Sequence, residues 1–211
     1  MLVVAPYAVS VPIAFGVRER LDAATAAGLV ALALAPGALV APAVVAAAGG
    51  RRSDMAGALL LGTLIVSFLL VVTRPASSML AVTAVQAFAV VSLAAGAIPL
   101  VRDRILAPLR WAGHVAAVGV LVLAVAGGPA IDASVLVVAT AAVAVMLVVA
   151  GAVALALRRD LLSAVAAAGT RDPIVAVALA WATGGSDATA VPLISAAILG
   201  IVAATLVVRR R

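Results

Sequence analysis

With 211 residues, 67% of them hydrophobic and only 10% charged, and a mean hydropathy of +1.35, the chain lies well outside the composition of a water-soluble domain. Its net charge of +6 rests on 14 basic residues, all arginine, dispersed in short flanks and not gathered on one face, which argues against nucleic-acid binding. No cysteine and a single histidine exclude disulfides, thiol nucleophiles and iron-sulfur clusters. There is also no Gly-x-Ser-x-Gly elbow, His-Glu-x-x-His pair or phosphate-cradling loop, so neither an enzyme nor a cofactor is expected.

Eight apolar stretches are marked off by charged or turn-forming residues, at about 2–17, 23–48, 55–73, 77–101, 111–128, 133–157, 161–184 and 188–208. Most reach the roughly 20 residues that a helix needs to cross a bilayer. The expected fold class is all-α integral membrane, a polytopic bundle of about eight transmembrane helices. It forms a single membrane domain over 1–211, with possible repeat halves 1–105 and 106–211. The longest polar connection, Arg102 to Arg110, is too short for a domain outside the bilayer. With both termini cytoplasmic, ten arginines fall on the cytoplasmic side against Arg18, Arg20 and Arg74 opposite, the bias expected of a multi-pass protein of the cell (inner) membrane. Membrane lipid is then the one certain partner.

In chain order, the first stretch contains Pro6 and Pro12 and reads as a short or tilted span. It has no basic segment before its apolar run, as a signal peptide would. Pro36 and Pro42 fall inside the second stretch, where a proline kinks a helix and frees a carbonyl. Gln86 and Ser92 in the fourth serve as interhelical hydrogen-bond groups, and Thr83 and Gln86 are also candidate ligand contacts. His114, beside Trp111 at the start of the fifth, suits the membrane interface. Asp132 and Asp187 read as solvated caps in short turns, and Pro192 opens the last span. Small residues dominate throughout, as a tightly packed bundle in lipid requires.

The seventh stretch carries the feature of most interest. Gly169, Thr170, Arg171, Asp172 and Pro173 combine two helix breakers with two opposite charges, and predict a discontinuous helix near 169–173. Charges at membrane depth cost at least roughly 2.5 to 3.5 kcal/mol each, so they normally face a partner or a watery cavity. A charged break inside a span is the usual pointer to a carrier's binding site. The plain alternative is that Asp172 and Pro173 cap a new helix as N-cap and N1 while Arg171 snorkels to a membrane face.

From Asp160 onward the chain resembles the last third of the bile acid/sodium symporter family. The shared frame runs through Asp160-Leu161-Leu162-Ser163-Ala164-Val165-Ala166 and Ala167-Ala168-Gly169-Thr170-Arg171-Asp172. The alanine-rich Pro173 to Ala182 follows, then Ala190-Val191-Pro192 at the final helix. Upstream, Gly57 to Gly62 looks like the first half of the family's other broken helix, and Thr83 to Pro99 like the hydroxyl-bearing helix after it. The resemblance implies a secondary carrier. It also sets the family's sodium-binding Glu at Ala167, its Gln at Arg171 and its Asn at Asp172. Sodium therefore has lost most of its expected oxygen ligands.

Two functions follow. One is a carrier without the usual sodium sites, in which Arg171, Asp172 and the half-helix end near Pro173 contact a small organic anion or amphipathic solute. The other is a non-transporting bundle or partner subunit that kept the fold and lost the site.

Overall fold

The computed structural model describes residues 4–35, 118–119, 121–156 and 171–209, and every regular element among them is helical, with no strand. Five helices carry the architecture: α1 (Val4–Val17), α2 (Ala23–Leu34), α3 (Ala133–Ala156), α4 (Pro173–Gly184) and α5 (Ala190–Arg209). Short 3-10 turns, Arg18–Arg20 and Asp187–Thr189, follow α1 and precede α5. Four of the eight expected stretches thus have their helices within two residues of an expected boundary at their start, and α3 matches its stretch almost end to end. Those at 55–73 and 77–101 lie outside the described residues, and 121–126 is a helical piece of the fifth.

Aspartate starts three of these helices. The Asp22 carboxylate accepts from the Thr25 N–H at 2.9 Å, that of Asp132 from Val135 N–H at 2.8 Å, and that of Asp172 from Ile174 and Val175 N–H at 2.9 and 3.2 Å. Each satisfies donors that the first turn of a helix leaves without intrahelical partners. At the other end of α4, Gly185 has φ 77°, and its N–H donates to Trp181 O, a conformation that favours glycine.

The second expected span needs correction. Its helix stops at Leu34, and Ala35 is extended (φ −63°, ψ 144°). The cause is local: Pro36 follows, and a proline's Cδ disfavours the α conformation in the residue before it. α2 therefore ends immediately before Pro36, and the rest of that stretch lies outside the described residues. Asp187 is corrected too. It is exposed, but it does not cap its own turn: its carboxylate accepts from Ala130 N–H at 3.2 Å, tying the 184–189 turn to the 127–132 loop.

α2 lies at the centre, against α1, α4 and α5, while α3 covers α1 and α5. One apolar cluster joins Tyr7 of α1, Ala31 and Leu34 of α2 and Leu179 and Ala180 of α4. A second joins Leu32 and Ala35 to Val135, Ala139, Val143 and Met146 of α3, Ala176 of α4 and Val191. Glycine permits the closest approaches. A Cβ on Gly28 would collide with the Ala188 carbonyl oxygen, and one on Gly184 would lie 2.7 Å from both Ala27 and Ala188 Cβ. Small residues let helices approach to backbone distance in this way.

The buried stripe of α3, Val135, Ala139, Val143, Met146, Ala150 and Ala154, has the three- and four-residue spacing of a single helix face. Leu136, Val137, Val148 and Leu155 on its other side are apolar and exposed. At 24 residues, α3 spans about 36 Å. It is one helix long and apolar enough to cross a membrane.

Candidate functional site

Arg171 and Asp172 are both buried, at 2% exposure, and neither is helical. α4 thus begins at Pro173, and both charges are inside the protein and not at a solvated rim. Arg171 does not snorkel. Its guanidinium carbon stands 3.9 Å from the centre of the Tyr7 ring, and its Nη2 donates to Ser10 Oγ at 3.3 Å. The Nε of Arg171 is buried without a hydrogen-bond partner among the described residues. A cation over an aromatic face gains from the ring's quadrupole, but that attraction does not replace a hydrogen-bond acceptor for Nε.

Tyr7 connects this arginine to the C-terminal end of α2. Its hydroxyl donates to Ala35 O at 3.1 Å, the carbonyl left beyond the last turn of α2 by the stop at Pro36. Two helix ends set by proline, the C-terminal end of α2 and the N-terminal end of α4, thus meet the same tyrosine. The dipoles are complementary: carbonyls at the end of α2 favour a cation, and N–H groups at the start of α4 favour an anion. The Asp172 carboxylate occupies that second position and holds two of the N–H groups. Ser195 of α5, fully buried, is a second polar group without a hydrogen-bond partner among the described residues. It lies about one helical turn beyond Val191, a residue of the cluster that also holds Ala35 and Ala176.

These groups lie far from the turns. The Arg18–Arg20 turn, the 127–132 loop and the 184–189 turn share one end of the bundle, linked by the Ala130–Asp187 bond and by Gly127, whose Cβ would lie 3.1 Å from Trp181 and 3.3 Å from Ser186. Three separate helices give the depth. Ten residues separate Tyr7 from Val17, and α2 and α4 each contain 12, so at 1.5 Å per residue Tyr7, Ala35 and Arg171 lie about 15 to 18 Å from that end.

An apolar cleft of about 260 Å³ opens beside Ser10, between α1, α2 and α3. Ile13, Ala14, Leu29, Val138 and Met146 line it, and Ser10 is its polar wall. The serine that receives the Arg171 bond therefore also faces this apolar space.

Of the expected site residues, Arg171, Asp172 and Pro173 are brought together at the start of α4, with Pro173 at its first position. Gly169, Thr170, Thr83 and Gln86 lie outside the described residues, as does His114. Tyr7, Ser10 and Ser195 were not singled out by the sequence reading. One signal for the first two was present: the chain's only tyrosine stands three residues before a serine, which sets both on one helix face. Among the described residues no group of three or more His, Asp or Glu side chains is placed to hold a metal ion. Comparison with protein-family models, with curated proteins and with solved structures returns no match.

Proposed function

We propose that this chain is a secondary carrier for a small organic anion or amphipathic solute, resembling the bile acid/sodium symporter family in frame and working without that family's usual sodium sites. In this reading it is a bundle of about eight spans in the cell (inner) membrane, with both termini cytoplasmic. The three turns gathered at one end of the bundle then form its outer face, consistent with the arginine count. The observation that carries the proposal is the buried Arg171 guanidinium, with an Nε unpartnered among the described residues, just before the start of α4.

Depth supports it. The hydrocarbon core of a bilayer is about 30 Å thick, so groups about 15 to 18 Å from one face lie near its midplane. A fixed cation there is costly unless a partner offsets it, and an anionic ligand reaching Nε is such a partner. The apolar cleft beside Ser10 suits the hydrophobic portion of an amphipathic anion, with its charged end toward Ser10 and Arg171. Binding at the midplane between interrupted helices is the arrangement that lets a carrier expose one site to alternate sides.

The test is uptake of labelled alkyl carboxylates and sulfonates into proteoliposomes, with and without sodium and pH gradients. Saturable uptake that is indifferent to sodium and lost in Arg171→Ala supports the proposal. Absence of uptake across the panel rejects it.

One observation favours a second reading, a bundle without transport. The contacts of Arg171 to Tyr7 and Ser10 tie α1 to α4, and Asp172 caps α4, so the charged pair also serves as an internal fastening. Flux separates the two.

A further inference from the structure

A groove of about 270 Å³ is lined by α1, α2 and α4, distinct from the cleft beside Ser10. Phe15, Ala26, Val30, Leu34 and Leu179 give it an apolar floor, and Arg18, exposed in the turn after α1, lines it as well. The Arg18 guanidinium carbon lies 5.3 Å from the centre of the Phe15 ring, so the same aromatic that lines the groove holds the cation over it. Arg20 follows in the same exposed turn, leaving it with a net positive charge beside Glu19. From Ala26 to Leu34 the groove spans eight residues of α2, a descent of about 12 Å away from the turn end of the bundle.

We propose that this groove is a specific site for one anionic phospholipid, its phosphate on Arg18 and part of one acyl chain along Val30 and Leu34. The proposal rests on the membrane reading and not on transport. An apolar channel that starts beneath an arginine at the turn end matches a lipid in the order of its chemistry: charge at the surface, hydrocarbon below. Neither a free anion nor an uncharged lipid uses both halves. The arginine selects the headgroup, and the groove fixes the position.

The test uses the full chain purified in detergent, with native mass spectrometry counting retained lipid. Dioleoyl phosphatidylglycerol, dioleoyl phosphatidylcholine and glycerol 3-phosphate are offered at equal concentration. One phosphatidylglycerol is expected to be retained about fivefold more tightly than phosphatidylcholine, the effect of one surface arginine. Arg18→Gln abolishes the preference. Ala26→Phe fills the groove at a partly exposed position outside the packed clusters, and lowers retention of both lipids; circular dichroism checks that each variant is folded. Equal retention of the two lipids, or unchanged retention in either variant, overturns the proposal. Displacement of the lipid by equimolar glycerol 3-phosphate overturns it in favour of a free phosphate site. Because retention is read without flux, a failed uptake assay leaves the result intact.

Discussion

The Arg171 guanidinium carbon lies 3.9 Å from the centre of the Tyr7 ring, joining the start of α4 to the first helix of the chain. That tyrosine also donates its hydroxyl to Ala35 O, at the stop of α2. One side chain therefore serves two helix ends with different chemistry, a ring face for a cation and a hydroxyl for a freed carbonyl. Moving α1 disturbs both ends together.

This geometry predicts strong coupling between the pair. A desolvated cation–π contact is worth about 2 kcal/mol. Tyr7→Leu and Arg171→Met, alone and combined, are expected to show coupling of that size in reversible unfolding in mixed micelles. Tyr7→Phe keeps the ring and loses only the bond to Ala35 O, at about 1 kcal/mol. A coupling energy under about 0.5 kcal/mol would show the two sites to be independent.

Arg171→Met separates support from transport. Arg171→Met keeps the side-chain volume and relieves the unpartnered Nε, but it gives up the Tyr7 and Ser10 contacts and leaves Asp172 buried, so a net loss of about 1 to 3 kcal/mol in a still folded protein is expected. Uptake of the anion, in contrast, is expected to vanish. A folded Arg171→Met protein that still takes up the anion at the wild-type rate would refute the binding role of the guanidinium.

The legible part of the structure was set by neighbours in sequence. Asp172 followed by Pro173 specifies an N-cap and first helical position, and α4 begins there. The stop of α2 was also local, since Pro36 restrains Ala35. The even hydrophobicity of 23–48 obscured it, because apolar composition measures transfer to lipid and is blind to backbone conformation. Tyr7 and Ser10 were hidden for another reason. Their partner Arg171 is remote in sequence, and nothing in the first helix depends on it locally. The pairing of Asp187 with Ala130 was concealed in the same way, as a contact between two turns that each look complete alone.

Gly28 tests the packing of α2 on the Asp187–Thr189 turn. A methyl group there meets the Ala188 carbonyl oxygen, which is backbone and has little room to yield. Gly28→Ala is expected to cost about 1 to 3 kcal/mol, the usual penalty of overpacking. At Gly16 a Cβ meets nothing within 4 Å, and Gly16→Ala is expected to stabilise α1 by about 0.5 to 1 kcal/mol through helix propensity alone. Thermal unfolding of the two variants in detergent checks the contrast. Equal effects of the same sign would show that propensity, and not the approach of α2 to the turn, governs both.

The aspartate caps at the turn end predict an acid limb in stability. The hydrogen bond from Thr25 N–H holds the Asp22 carboxyl below its usual range, and those from the Ser134 hydroxyl and Val135 N–H do the same for Asp132. A lowered folded value means the ionised form is bound more strongly in the native state. The contribution is therefore complete above the ordinary aspartate value near 3.9, and is lost as pH falls through the lower folded value. Between pH 6 and 8 these groups produce no slope. Asparagine caps a helix about as well as aspartate but does not titrate in this range. The double variant Asp22→Asn, Asp132→Asn is accordingly expected to match the wild type near pH 7 and to lose less stability below about pH 4. Thermal unfolding in detergent from pH 3 to 8 measures both profiles. If their acid limbs coincide, the caps do not carry the acid sensitivity, and carboxylates elsewhere in the chain must.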